Sequence, residues 1–348
     1  MKPTPTQNPP HRWSGLRLDY EDVPPPPADL VIFEERARTI LSSNNSPDVG
    51  FKWSLNPYRG CFHGCAYCYA RPSHGYWDFG AGTDFERKIV VKVNAPEKLR
   101  ETFLKPSWEG EVVVFSGNTD CYQPLEIQYE LTRRCLEVCL EFRNPVGIIT
   151  KGSIVRRDVE LLAALSRTAK ASVFVSIPFA DDEMARAMEP WAPSPKARFD
   201  TLRLLSEAGI PTGVSVSPII PGLNDSQIAE VLERAAEAGA RRAFHILLRL
   251  PNEVKPVFTE RLAAAYPDRL EKVMNGIKAA RGGALNDSRF GKRMSGAGPR
   301  WEAAKFLFES TCKRLGLNAG RNTEFDDVAA GTFRRPTDQL GLFEPLGP

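Results

Sequence analysis

Short apolar runs alternating with helical patterns constrain this chain more than any other feature. Val112-Val113-Val114-Phe115, Val146–Thr150, Ser172–Ile177, Thr212–Val216 and Ala243–Leu248 are each apolar nearly throughout. That continuity suits strands covered on both faces. Helical patterns fall between them, around Leu125–Phe142, near Asp158–Thr168, across Lys196–Ala208 and across Ser226–Ala238. A further strand near Trp53–Asn56 brings the count to six. Strand–helix alternation through short loops implies parallel pairing and right-handed crossovers. Six units are two short of a closed eight-stranded barrel, which predicts an open α/β fold, a partial TIM-like (β/α)6 barrel. Chemistry then gathers at the C-terminal ends of the strands.

Four segments follow from this reading. Residues 1–29 carry eight prolines, ending in Pro24-Pro25-Pro26-Pro27. Such a stretch is expected to be an extended tail, unable to make a sheet ladder or a regular helix. Residues 30–250 form the (β/α)6 core. Residues 251–321 are a helical, basic C-terminal extension, with its helical section over about Pro267–Leu317. Residues 322–348 mix Gly, Pro, Asp and Thr and are expected to be a flexible tail. The 46 basic residues nearly balance the 43 acidic ones, for a net charge of +3, so overall charge implies no anionic partner. The start lacks an apolar signal region and no apolar run is long enough to cross a bilayer, which predicts a cytoplasmic protein away from membranes. Seven cysteines in a reducing compartment are not expected to pair as disulfides.

Three of those cysteines crowd into one loop, Asn56-Pro-Tyr-Arg-Gly-Cys61-Phe-His-Gly-Cys65-Ala-Tyr-Cys68-Tyr. A structural zinc site takes four ligands, and His63, wedged between Cys61 and Cys65, would strain so short a turn as the fourth. Three buried structural thiols are the plainer alternative, yet Gly, His, Arg and Tyr neighbours are wrong for an apolar core. A [4Fe–4S] cube held by three cysteines keeps one iron open. That iron can chelate the amino and carboxylate groups of S-adenosylmethionine, and one electron then breaks the C5′–S bond to give a 5′-deoxyadenosyl radical. Gly60 and Gly64 let the backbone turn tightly around such a cluster.

The C-x3-C-x2-C loop resembles that of the radical S-adenosylmethionine superfamily. NPYRGCFHGCAYCYAR, SGNTDCYQPLE, ITKG and SPIIPGLND resemble its spore photoproduct lyase-like (DNA repair photolyase-like) branch, over about Asn56 to Leu250. The resemblance implies a [4Fe–4S] cluster on Cys61, Cys65 and Cys68 and bound S-adenosylmethionine. It assigns the cofactor's amino group to Ser116, Gly117, Asn118, Thr119 and Asp120, residues that an Asx-type turn explains equally. Tyr67 and Ile220 become adenine neighbours. Pro218 and Asp225 depart from the family's G-x-I-x-G-x-x-E adenine pattern, and Asp225 is also a candidate helix cap. Lys151, Ser176 and Arg198 are candidates for the methionine carboxylate or the ribose hydroxyls. The branch's hydrogen-atom-donor cysteine aligns with Gly117. Cys121 is therefore a catalytic candidate four residues out of register, with Tyr122 as a relay. His245 either faces the mouth or is a satisfied core residue. Cys135 and Cys139, a helical turn apart, read as buried apolar residues.

Arg281 to Arg321 holds nine Lys or Arg against three Asp or Glu, interleaved with Phe290, Gly291, Met294 and Trp301. This composition suits a phosphate backbone, and equally a solvated helix face. Gln339-Leu340-Gly341-Leu342-Phe343 resembles the Q-L-[SD]-L-F peptide by which bacterial repair and replication proteins bind the sliding clamp. The leading expectation is a radical enzyme acting on nucleic acid, with a DNA substrate, an external one-electron donor and the clamp as partners. A radical enzyme modifying a peptide or small molecule, or a non-catalytic metal-cluster binding module, are the alternatives.

Overall fold

The computed structural model describes residues 4–6, 30–319 and 331–336. Strands β1 (Thr4–Thr6), β2 (Val31–Glu35), β3 (Leu41–Ser43), β4 (Trp53–Leu55) and β5 (Tyr58–Arg59) come first, then α1 (Thr83–Arg87), β6 (Lys88–Lys92) and α2 (Ala95–Leu104). β7 (Val113–Phe115) leads to α3 (Glu126–Tyr129) and α4 (Leu131–Glu141). β8 (Val146–Thr150) leads to α5 (Val159–Thr168), and β9 (Ala171–Ser176) to α6 (Asp182–Met188) and α7 (Pro195–Glu207). β10 (Thr212–Ile219), α8 (Ile228–Glu237) and β11 (Arg242–Leu247) complete the repeating units, and α9 (Val254–Ala265), α10 (Pro267–Ala280) and α11 (Pro299–Leu315) follow.

The main sheet runs β11-β10-β9-β8-β7-β4-β3. Its six strands from β4 to β11 pair in parallel, and β3 closes one edge antiparallel to β4. These are the six strands expected from the apolar runs, in an open partial barrel with helices at the C-terminus. The strands are continuous in burial because helices cover one face and the barrel interior the other: all three residues of β7 are buried. Close packing shows at Gly213, where an added Cβ would lie 2.3 Å from the Phe174 ring. Each helix starts where local chemistry permits. Ser194 accepts from the amide of Ala197 at the head of α7, with Pro195 at the first turn.

A second sheet, in the order β1-β2-β6-β5, packs beside the barrel. Here the structure corrects the reading of the proline-rich tail, because Thr4–Thr6 pairs antiparallel with Ile32–Glu34. β1 is an edge strand, where a proline such as Pro5 can leave its missing N–H on the unpaired side. The C-terminal tail needs a similar correction. Residues 331–336 dock where the chain enters β7 and β8: Phe333 packs on Phe103 and Phe142, the Arg334 amide donates to Phe142 O (2.8 Å), and Arg335 donates to Lys105 O and Trp108 O. Gln339–Phe343 lies outside the described residues.

The C-terminal helices share a core with the cysteine loop. Val254, Phe258, Leu262, Val273 and Ile277 pack in one buried cluster with Cys65, Ala66 and Tyr67. No helix among the described residues is long and apolar enough to cross a membrane.

Candidate active site at the barrel mouth

The site is built on the short hairpin-like pairing of β5 with β6, which delivers the chain to the cysteine loop. Gly60 turns at φ +75°, and a Cβ there would lie 2.9 Å from both the His74 ring and Phe85 O. Only glycine fits. The amide of Cys61 then donates to Phe85 O (2.9 Å), and Gly64 makes the next left-handed turn against Trp191 and Glu86.

A buried guanidinium organises the loop from behind. Arg71, with no solvent exposure, donates to Cys65 O, Gly64 O, Ala81 O and Gly82 O, and pairs with Glu86 at 2.6 Å. Arg261, from α9, donates to Gly64 O (2.9 Å) and to the same Glu86 carboxylate (2.6 Å). The helical extension thus reaches the cysteine loop directly.

One pocket opens at the C-terminal ends of the barrel strands. Cys61, Cys65 and Cys68 line it together with Tyr67 and the turn Ser116–Asp120 after β7, Lys151 after β8, and Ser176 ending β9. Those sequence-predicted residues are thus brought together. Burial pushes the Cys65 thiol up to about 12 and raises Cys61 and Cys68 as well. Such thiols are inert unless a cation stabilises the thiolate. Burial alone would also raise the Asp120 carboxyl. His63, whose Nδ1 lies 3.4 Å away, the Lys151 amide (2.7 Å) and the Thr150 hydroxyl (2.6 Å) hold it well below the usual range instead. Asp120 therefore ties the β7 turn to the end of β8, and its oxygens are committed to protein donors.

Six residues singled out in the sequence fall elsewhere. Cys121 and Tyr122 are fully buried in the barrel core and do not line the pocket. The turn at Ser116 and Gly117, both at positive φ, presents residues up to Asp120 to the mouth before the chain drops inward. Tyr122 then sends its hydroxyl to Asp158 (3.1 Å), away from the opening. Arg198 is buried behind the wall, donating to Ser176 O (3.1 Å) and pairing with Glu189 at 2.5 Å. Ile220 follows the end of β10 into the core shared with Cys65 and Tyr67. His245 faces outward against Phe308 and Trp301, and burial lowers its pKa to about 4, as for a neutral core histidine. Asp225 pairs with Arg300 (2.7 Å) and caps nothing.

Sequence reasoning missed Glu189, Tyr69 and Arg249. Glu189 is buried where it accepts from Tyr67 Oη and Arg198, with Lys151 Nζ at 3.8 Å. Burial alone would raise this carboxyl, but Arg198 and Lys151 bring it below its ordinary value. A depressed carboxyl stabilises the fold fully above its unfolded pKa, near 4.5, and the contribution is lost as pH falls through the lower folded value. Glu189→Gln, which strands two cations, is expected to cost about 3 kcal/mol at neutral pH. The difference from wild type should narrow on acidification below the ordinary carboxyl range. Urea titrations of both proteins across pH would measure it, and a pH-independent difference would refute the buried ion-pair account.

The family model of the Radical SAM superfamily matches residues 55–235. An uncharacterized protein of Mycobacterium tuberculosis (strain ATCC 25618 / H37Rv) is 36% identical over 230 residues, covering 66% of this chain and 68% of its own. A protein of Pseudomonas phage M6 named Radical SAM Nalpha-GlyT isomerase is 25% identical over 279 residues, covering 79% of this chain and 54% of that one. Among solved structures, spore photoproduct lyase complexed with dinucleoside spore photoproduct superposes with a TM-score of 0.60 at 16% identity, over 82% of this chain and 80% of that one. That likeness is one of fold. Three thiols at the mouth of a six-stranded partial barrel, inside the matched region, agree with the match, and the chain belongs to the radical SAM superfamily of enzymes, whose members work with S-adenosylmethionine and an iron–sulfur cluster.

Proposed function

We propose that this enzyme holds a [4Fe–4S] cluster on Cys61, Cys65 and Cys68, cleaves S-adenosylmethionine to a 5′-deoxyadenosyl radical, and abstracts hydrogen from a nucleic-acid substrate in a repair-like reaction. The observation that carries the reading is the pocket itself: three thiols on its wall at the strand ends, Cys61 and Cys65 buried and Cys68 half-buried, with Lys151 close enough to act electrostatically on Cys65. Among the described residues no three His, Cys, Asp or Glu side chains converge on one ion position. His63, the remaining donor in the loop, has its Nδ1 directed at Asp120. When bound, the cluster supplies the electron that makes the radical.

The chain's own residues divide the cofactor between them. Lys151, whose Nζ lies 3.8 Å from Glu189, would be the cation for the methionine carboxylate. The polar turn from Ser116 to Thr119 receives the amino group. Tyr67 offers a ring to adenine, with its hydroxyl fixed on Glu189, and Ser176 offers a hydroxyl to the ribose.

Three observations support a nucleic-acid substrate. The superposed lyase is complexed with dinucleoside spore photoproduct, the segment from Arg281 to Arg321 holds nine Lys or Arg against three Asp or Glu, and Lys292 stands in its loop beside the acid-paired Arg289 and Arg293. A base would have to be turned out of a duplex to enter the mouth. The same reading includes an external one-electron donor, a cytoplasmic location, and sliding-clamp contact through Gln339–Phe343.

Anaerobic reconstitution with iron and sulfide, reduction, and addition of S-adenosylmethionine tests the central claim. Four irons per chain and formation of 5′-deoxyadenosine are expected from the proposed cluster. Zinc in place of iron, with no cofactor cleavage, would overturn it.

A further inference from the structure

We infer that Arg249 is a substrate-anchoring site for a phosphodiester, placed at the barrel mouth to hold a strand while the adjoining base enters the pocket. The inference rests on the nucleic-acid reading above and names the residue that would enforce it.

Arg249 follows β11 and lines the same pocket as the three cysteines. Its guanidinium lies over the Tyr69 ring, 5.5 Å from the centroid, and its Nη1 reaches only the Met294 sulfur at 3.8 Å. Its Nε is buried without a hydrogen-bond partner, and no carboxylate pairs with it among the described residues. The surrounding cations are treated differently. Arg293 is paired with Asp48 at 2.5 Å, Arg289 with Asp287 at 2.7 Å, and Lys151 has Glu189. Asp48, the acid whose field reaches Arg249, is already occupied by Arg293 and the Gly291 amide.

A half-buried guanidinium whose buried Nε has no partner, beside a second arginine, is costly to hold, and an incoming anion lowers that cost. The fork geometry of guanidinium matches two oxygens of a phosphate. What surrounds it identifies the rest of the ligand. Tyr69 offers a half-exposed ring, Phe244 and Ile246 form an apolar wall, and Ser217 Oγ is a second buried polar atom without a partner in the pocket. An anion seat beside flat apolar surface and an unused hydroxyl has the chemistry of a nucleotide. Lys151 stands apart, with its own carboxylate neighbour, for the cofactor.

The test compares wild type, Arg249→Met, Arg249→Lys and Arg167→Met as reconstituted holoenzymes. Arg167, exposed in the last turn of α5, controls for loss of a charge elsewhere. The probe is a labelled single-stranded oligothymidylate, titrated by anisotropy over a salt series, with S-adenosylmethionine binding measured separately. Arg249→Met is expected to weaken oligonucleotide binding about tenfold and to reduce the salt slope by about one. Arg249→Lys should recover part of the affinity, and Arg167→Met should stay within about twofold of wild type. Unchanged oligonucleotide binding by Arg249→Met would overturn the site while leaving the nucleic-acid reading intact. A loss of S-adenosylmethionine affinity without loss of oligonucleotide affinity would assign Arg249 to the cofactor and overturn it too. A wild-type holoenzyme that binds the cofactor but no oligonucleotide would overturn the nucleic-acid reading and the anchor together.

Discussion

Alanine at Cys65 is expected to abolish iron retention and 5′-deoxyadenosine formation, while alanine at Cys121 leaves both in place. The two thiols are equally invisible to composition, and both are buried. They differ in what they face. Cys65 lines the pocket with Cys61 and Cys68, within the electrostatic reach of Lys151, and its thiol near 12 stays protonated until a cation displaces the proton. On the proposed assignment, removing one of three ligands would leave a cube with two open irons, and the cluster would be lost. Cys121 sits in the barrel core behind the Ser116 turn, and its backbone carbonyl is held by Thr132 Oγ1 at 2.6 Å. Losing that sulfur makes a small cavity worth about 1 kcal/mol. Iron analysis and chromatography of the nucleoside product on both variants would decide. A Cys65→Ala protein that kept its iron and cleaved the cofactor would refute the ligand assignment. A Cys121→Ala protein inactive in cofactor cleavage would return that thiol to the chemistry.

The parts of this molecule that are local in sequence were legible in it. Five apolar runs became strands because they are largely buried, with Trp53–Leu55 as the sixth, and the C-x3-C-x2-C loop stands out by its spacing. The second sheet was not legible: β5 has two residues, β2 follows a proline run, and the pairing of β1 depends on an edge being available. Most of the candidates drawn from strand ends line one pocket, while others point into the core. Ser116 to Asp120 reach the mouth and Cys121 does not, because the turn is set by positive φ at Ser116 and Gly117, which no residue count after β7 reveals. Arg198 has the charge expected of a cofactor ligand, but it is committed to Glu189. The polar residues that were missed are those defined by distant partners. Glu189 meets Tyr67 across 122 positions, and Arg261 meets Gly64 across 197. Charge pairing of that kind is a product of the fold.

Arg71 shows how much depends on such a residue. Arg71→Met is expected to cost on the order of 5 kcal/mol and to leave a protein that loses its metal on desalting, because a buried ion pair and several carbonyl contacts disappear together. The side chain is wholly buried, and it satisfies Gly64 O and Cys65 O from inside the loop that supplies the ligands. Methionine fills much of the volume but supplies no donors, so Glu86 keeps only Arg261. The carbonyls of Ala81 and Gly82 lose the donor that Arg71 gave them. Arg261→Met removes a partly exposed arm of the same unit and is expected to cost about 1 kcal/mol. Equilibrium denaturation of the apoproteins separates the fold term from the metal term, and iron retention by the reconstituted proteins reads the second. If Arg71→Met unfolds like wild type and still retains iron, the loop is held by its glycine turns and the Cys61–Phe85 backbone bond alone. If stability falls while iron is retained, the guanidinium braces the barrel flank rather than the ligand loop. Joint loss, with Arg261→Met between the two, is what a clamp built on Gly64 and Cys65 requires.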